Sequence, residues 1–372
     1  MNILFDNQIF VQQAYGGVSR LFYELIKNLC EKEGANIFFF HGFYINRFPV
    51  EDFKKKMKFY FGKRISQPPY TAKFIRVFNT ILFNLFKPRR KIDIFHPTDY
   101  SPVALRWKKS PLVLTVYDMI YELFPHFFKD IKVRTKVKQK CIEQADRIIT
   151  ISNTTKNDLL KFYNVDEKKV TVIYPGAPSF IQLIENKNRF TNKKPYILYV
   201  GTRKRGYKNF KNLLLAFASN KKINREFDLI CFGGGAFTQE EKRLISQTGC
   251  LDHVFQVSGD DGMLGQLYMK ASAFVYPSLY EGFGLPLLEA MVYKCPIVAS
   301  RTSSLPEVLG DAALFFDPSS PESITSAMEK VVFDNGMVQH LIKKGSSQVK
   351  KYSWTKMAEE TYQLYNEIGE MK

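Results

Sequence analysis

The residues best placed to do chemistry form one string, residues 276–291, reading YPSLYEGFGLPLLEAM. An apolar run ends near Pro277, a loop carries Glu281-Gly282-Phe283-Gly284, and a helix is predicted from about Pro286. Proline suits the first helical position, because the N–H it lacks would have no intrahelical partner there. The two glycines let the backbone approach a ligand closely, and a helix start offers unpaired N–H groups to an anion. A phosphate therefore has a place to sit. Glu281 precedes the helix and Glu289 lies in its early turns, so both could face one pocket from different heights. A tight strand-to-helix turn with two solvated glutamates is the competing reading of the bare glycine motif.

These residues need a frame, and the chain predicts one. At 372 residues it exceeds a comfortable single core, which favours two domains. It is 45% hydrophobic and 24% charged, near the globular average, which argues against disorder. No run of eighteen apolar residues marks a membrane span. The opening MNILFDNQIF lacks the basic end and cleavage site of a signal peptide and reads as a first buried strand. Short apolar runs alternate with amphipathic stretches, the pattern of parallel sheets with crossover helices. Strands are predicted at 2–6, 36–40, 92–95, 112–116, 147–151 and 170–173, with a helix after Gly17 carrying Val18, Leu21, Phe22, Leu25 and Leu29 at helical spacing. A polar linker is predicted at 181–194. The alternation then restarts with strands at 196–200, 227–232, 254–256, 273–276, 296–299 and 313–315. The predicted class is α/β, two Rossmann-like domains facing across a cleft, with ligands at the carboxyl ends of the strands.

The sixteen-residue string resembles the signature of the retaining glycosyltransferases of family 4, which have the GT-B fold. In that family two glutamates stand eight positions apart, as Glu281 and Glu289 do here. The resemblance implies that Glu281 hydrogen-bonds donor-sugar hydroxyls and that Glu289 holds the nucleotide ribose. It also implies that the amides of Gly282, Phe283, Gly284 and Leu285 contact sugar and phosphate. The string YILYVGTRKRGYKNF, 196–210, resembles the family's strand and basic loop, whose two cations take up charge on the donor diphosphate. Arg203 and Lys208 are assigned to them. Arg205 competes with Arg203, because the loop is one residue longer than expected.

Near the start, Tyr15-Gly16-Gly17 resembles the loop that lets the N-domain backbone reach donor phosphate and acceptor. Arg20 is either a further anion contact or a solvated surface residue. In LTVYDMIYELFP, Tyr117-Asp118 stands where many relatives carry His-Asp. Tyrosine keeps a hydrogen-bonding hydroxyl but has no near-neutral titration. Tyr117 thereby joins Glu281, Arg203 and Lys208 as a catalytic candidate, Asp118 is an acceptor-side candidate, and His96 is either an acceptor-side contact or a structural turn residue. Segments ADRIITISNTTKNDLLKFY, SSLPEVLGDAALFFDP with Glu307, and YSWTKMAEETYQLY resemble later parts of the family. The implied organisation is an acceptor-binding domain over 1–180, a nucleotide-sugar domain over 195–350, and a C-terminal helix at 351–372 packing back on the N-domain.

The expected reaction cleaves the anomeric carbon's bond to a nucleotide diphosphate, so the useful protein groups are cations and amides aimed at phosphate. No metal is implied, since no Asp-x-Asp or His/Cys cluster occurs and Asp260-Asp261 reads as solvated. No cofactor is implied beyond a GDP- or UDP-linked sugar as co-substrate, mannose being the leading sugar. Five scattered cysteines show no zinc or redox spacing and fit buried thiols of a reducing cytosol. The balance of 54 basic to 36 acidic residues implies an anionic partner, and residues 51–91 hold twelve Lys or Arg against two acids. Within that stretch Phe74, Phe78, Leu82 and Leu85 could form one side of a basic amphipathic helix. Residues 53–91 are thus a candidate contact with an anionic membrane surface at its inner, cytoplasmic face, unless they pack into the core. No nucleic-acid-binding module is recognisable. The acceptor is expected to be a glycan or lipid-linked sugar of a surface polysaccharide. The rival functions are a nucleotide-sugar epimerase of the same architecture and a donor-binding scaffold without turnover.

Overall fold

The computed structural model describes residues 1–65, 72–86, 90–107, 110–128, 131–178 and 190–370. Most of the predicted linker, 181–189, and residues 66–71 and 87–89 of the basic stretch lie outside the described residues. The chain forms two compact units. The first comprises Met1–Leu123, Phe128–Gly176 and Ser353–Lys372, and the second Phe124–Phe127 with Ala177–Tyr352.

Among the described residues the first unit is built on seven parallel strands: β1 (Asn2–Phe5), β2 (Asn36–Tyr44), β3 (Phe59–Arg64), β4 (Ile94–His96), β5 (Val113–Val116), β6 (Arg147–Thr150) and β7 (Val170–Val172). They run β3-β2-β1-β4 and β5-β6-β7, and a parallel bridge from Phe95 to Leu112 joins the two groups. Runs such as NILF and VLTV are buried nearly throughout, as strands with helices on both faces must be. One face packs Leu4, Phe38, Phe40, Phe95, Leu114 and Ile148 against Phe83, Ile142 and Leu159. On the helix Gly17–Cys30, Leu21, Phe22, Leu25, Ile26 and Leu29 are buried at the predicted spacing. The chain's last helix, Trp354–Glu370, belongs to this unit, with Thr361 and Tyr365 fully buried and Lys32 paired to Glu359.

Each predicted strand is present to within about two residues at its ends, the usual uncertainty of such boundaries, except that β2 runs four residues past the predicted end, to Tyr44. One strand, β3, was not predicted. It lies inside the stretch read as a basic amphipathic surface, and its two ends explain why. Phe59 and Phe61 pack on the core while Lys63 and Arg64 are exposed, which an edge strand tolerates.

The second unit holds β8 (Tyr196–Val200), β9 (Asp228–Phe232), β10 (Val254–Val257), β11 (Ala273–Tyr276), β12 (Ile297–Ser300) and β13 (Ala313–Phe316). All are parallel, in the order β10-β9-β8-β11-β12-β13. This is the doubly wound order, as is that of the first unit. The order reverses between β8 and β11 here, and between β1 and β4 in the first unit. Loops diverge at such points, so each unit has a crevice at its strands' carboxyl ends. The core beneath β8 is filled by Phe210, Leu213, Leu214 and Phe217 of the helix Phe210–Ser219, closed by Ile324, Met328 and Val331. Each such buried side chain contributes about 2–3 kcal/mol.

Candidate functional site

In the second unit the loops after β8 and β11 meet at the switch point. After Val200 the chain runs through the basic loop to a single tight turn, Gly206–Lys208. Asn209 ends that turn in the left-handed region (φ 58°), which Asn tolerates better than most side chains. Its side-chain amide donates to the carbonyls of Pro277 (3.0 Å) and Pro318 (2.7 Å), so one residue ties three loops together. The Leu279 amide donates to the Tyr207 carbonyl at 2.8 Å. Nothing in the local pattern marks Asn209 for this duty, because both carbonyls lie far along the chain.

This scaffold holds Lys208 against Glu281. The ammonium lies 2.6 Å from Glu281 Oε1, which also accepts from Ser278 Oγ at 2.5 Å. Burial works to lower the lysine's pKa, but the Glu281 charge and hydrogen bond, with Tyr207, outweigh it and the net shift is upward. Lys208 is therefore a cation at neutral pH. The loop after β12 fixes the backbone of Glu281: its amide donates to Ser303 Oγ at 2.9 Å, and Ser304 Oγ donates to its carbonyl at 2.9 Å. Ser278, Ser303 and Ser304 were missed as supports, since isolated serines carry no sequence signal.

From Glu281 the chain passes through Gly282 and Phe283, both buried, to Gly284. Gly284 has φ 98°, in the left-handed region that favours glycine. The helix Leu285–Val292 begins at once, with Pro286 in its first turn as predicted. Its start concentrates positive partial charge at the same crevice. Glu289, one turn further, accepts from Tyr268 Oη at 3.1 Å. The two glutamates are thus held by different partners.

Arg203 is held differently from Lys208. Its side chain is fully buried, with Nε 2.9 Å from Glu241 Oε1 and the terminal nitrogens donating to the Gly233 (2.7 Å) and Gly235 (2.6 Å) carbonyls. Phe237 lies 4.7 Å beneath the guanidinium. A desolvated guanidinium needs such partners, and this one spends its donors on the loop after β9. Gly233, Gly234 and Gly235 there all have positive φ (86°, 71° and 74°). The signal that could have shown this is GGG at a strand end, followed by Thr238 and Glu241 in capping-box spacing. Arg205, the competing residue, stays exposed on the basic loop beside Tyr207.

In the first unit the predicted residues come after β1 (Gly16, Gly17 and Arg20), at the end of β4 (His96) and after β5 (Tyr117 and Asp118). Gly16 caps the helix Gly17–Cys30 with extended backbone, and a Cβ there would lie 2.1 Å from Gln13 Oε1. That oxygen accepts the Ser19 amide at 3.1 Å, so a side chain already serves one amide of this helix start. Arg20 stacks its guanidinium 5.4 Å from the Phe48 ring centroid. Asp118 Oδ1 accepts the Ile120 amide at 3.1 Å.

Two of the predicted residues of this unit are held within its core. His96 is fully buried, with Nδ1 2.5 Å from Tyr365 Oη and Nε2 2.8 Å from Thr115 Oγ1. Burial pushes its pKa down to about 3, so it is a neutral core residue with both nitrogens occupied. Tyr117 is also buried and donates its hydroxyl to the Thr98 carbonyl at 2.9 Å, which commits the group expected to replace the family's histidine. Sequence reasoning missed Asp6, directly after β1. Its Oδ1 accepts Thr98 N and Oγ1, each at 2.8 Å, whereas its buried Oδ2 has no hydrogen-bond partner among the described residues. Burial raises its pKa to about 6. A carboxylate directly following the apolar run Ile3-Leu4-Phe5 was the available signal.

Among the described residues, no group of three His, Cys, Asp or Glu gathers as a metal set, and no helix is long and apolar enough to cross a membrane. The family model of glycosyltransferase family 4 matches residues 15–178, and that of glycosyl transferases group 1 matches 180–348. The O-antigen chain mannosyltransferase B of Escherichia coli is 27% identical over 391 aligned positions, covering 98% of this chain and 99% of that protein. The sucrose-phosphate synthase of Thermosynechococcus elongatus superposes with a TM-score of 0.79 at 18% identity, covering all of both chains. HepE of Anabaena, solved with UDP and glucose, does so at 0.74 and 15%, covering 99% of this chain and 100% of that one. With both family models matched in succession and both sheets wound as the GT-B fold requires, the chain belongs to glycosyltransferase family 4.

Proposed function

We propose that this glycosyltransferase moves a hexose, mannose first among them, from a GDP- or UDP-linked donor to a glycan or lipid-linked acceptor. The reaction serves assembly of a cell-surface polysaccharide, in the cytoplasm at the inner face of the membrane. It retains anomeric configuration and uses neither metal nor cofactor. The Lys208–Glu281 pair at the β8/β11 switch point, beside the Gly284-capped helix start, carries this reading. Support for mannose comes from the mannosyltransferase relative, and for a nucleotide-sugar donor from the UDP and glucose of HepE.

In this mechanism the diphosphate lies against the helix start and Lys208, with Arg205 reaching in from the loop. As the anomeric bond breaks, negative charge grows on the leaving phosphate, and these fixed positive groups stabilise it without reorganising. Lys208 exchanges its Glu281 partner for phosphate, and Glu281 turns to the sugar hydroxyls. Glu289 accepts from the ribose.

Thermal shift against GDP-, UDP- and dTDP-sugars tests the donor site, since a ligand bound only by the folded state raises apparent stability. Stabilisation by one nucleotide class, lost in Glu281→Ala and Lys208→Ala, is expected. No shift with any of them, from folded protein, would overturn the reading. Product NMR reports the anomer, and turnover that persists in EDTA reports independence from metal.

A further inference from the structure

The helix Ala72–Phe86 is turned the wrong way for a core helix. Phe74, Val77, Phe78, Ile81 and Leu85 recur at helical spacing on one face and are 77%, 64%, 50%, 53% and 71% exposed. The opposite face holds the helix in place. Asn79 is buried and pairs with Phe43 both ways, accepting its amide and donating to its carbonyl, each at 2.9 Å. Phe83 is buried among Phe40, Phe95 and Trp107. Even the backbone is shaped to this contact: Gly42, at a bulge with φ 60°, leaves room where a Cβ would stand 2.7 Å from Asn79 Oδ1. The rotation is therefore fixed by packing, and the apolar stripe faces out by construction. It corrects the sequence expectation too: Leu82 packs inward, while Val77 and Ile81 join the outer face.

A contiguous exposed apolar face of this kind marks an interaction surface. Charge identifies the occupant. The Phe78 ring lies 5.7 Å from that of Phe43, whose register partner on β3 is Lys63, and Tyr44 pairs likewise with Arg64. Both cations are exposed, as are Lys55, Lys58, Arg90 and Lys91. Only two acids, Glu51 and Asp52, fall within residues 51–91. A fifteen-residue helix is about 22 Å long, too short to cross a hydrocarbon core of about 30 Å. It can lie in the interface with its apolar face down and its cations among anionic headgroups.

We propose that the helix Ala72–Phe86, with Lys63 and Arg64, docks the first unit onto an anionic lipid bilayer. The inference deepens the proposed function by naming the surface that meets a lipid-linked acceptor, and rests on that reading only for the side of the membrane.

Co-sedimentation of the full chain with vesicles of mixed phosphatidylglycerol and phosphatidylcholine tests it, with phosphatidylcholine vesicles as the control. Binding to the anionic vesicles alone is expected. Phe78→Ser with Ile81→Ser should weaken it at least about tenfold, and Lys63→Gln with Arg64→Gln roughly 30-fold at low salt. Because these side chains are exposed, circular dichroism and melting should stay unchanged. An Ile81→Trp reporter should shift to the blue on anionic vesicles. Equal binding to both vesicle types, absence of binding, or no blue shift would overturn the proposal. So would light scattering that shows a dimer split by the serine pair without vesicle binding, which would make the stripe a self-association face. Donor thermal shift on the same samples reads the transferase site separately, so either idea can fail alone.

Discussion

At the scale of single residues, two arginines on one loop have opposite fates, which makes them a sharp pair to substitute. Arg203→Ala leaves Glu241 and two loop carbonyls without their buried partner and should cost about 3–5 kcal/mol in urea unfolding. Arg205→Ala, at an exposed position, should change stability by less than about 0.5 kcal/mol yet weaken nucleotide-sugar binding in isothermal titration. The reverse pattern would return the phosphate role to Arg203. Lys208→Ala should lower turnover by about 10²–10³, the typical loss on removing one preorganised group that faces developing charge. Asp6 makes a prediction in pH. Its folded pKa of about 6 exceeds the ordinary 3.8, so the folded state binds the extra proton between those values and stability declines as pH rises through them. Asp6→Asn removes that loss while keeping an oxygen for Thr98. Its melting temperature should exceed wild type at pH 7.5 and converge on it near pH 4.

At the scale of elements, the last helix illustrates how distant segments complete a core. Trp354–Glu370 packs on Gly17–Cys30, and its Tyr365 hydroxyl is bonded to His96 at the end of β4. Tyr365→Phe keeps the shape but leaves a buried imidazole nitrogen unpaired. It should cost about 1–3 kcal/mol in denaturant unfolding, with no change in donor affinity. A fall in donor affinity instead would mean that the bond matters beyond packing. His96 and the fully buried His41, whose pKa burial also pushes well down, are neutral in the folded state. The unfolded chain gains protons at both as pH drops below about 6.5. Their contribution to stability is therefore lost on acidification, opposite in sign to that of Asp6.

At the scale of the whole molecule, the formal charge of +18 sets up a field that attracts phosphorylated substrates before any contact forms. Added salt screens such steering beyond about 10 Å at 0.1 M. Raising the salt concentration should therefore raise KM for the nucleotide sugar while leaving kcat nearly constant in steady-state assays. A matching fall in kcat would mean that the field acts on the chemical step itself.

How much of this was legible beforehand follows from the range of each interaction. The parallel strands, the helix after Gly17 and the Glu281–Gly284 loop with its proline-started helix are local patterns, written in residues a few positions apart. So is the basic excess of residues 51–91. Only the tertiary structure decided what Arg203 holds, what occupies both nitrogens of His96, and why Asn209 is needed, since each answer is a partner supplied from elsewhere in the chain. The same holds for the helix Ala72–Phe86. Its apolar residues were plain in the sequence, but which of them face outward was settled by Asn79 and Phe83, whose partners are brought to them by the sheet. Periodicity records what a segment prefers by itself, whereas a buried polar group takes whatever partner the fold delivers, and burial is what makes that choice binding.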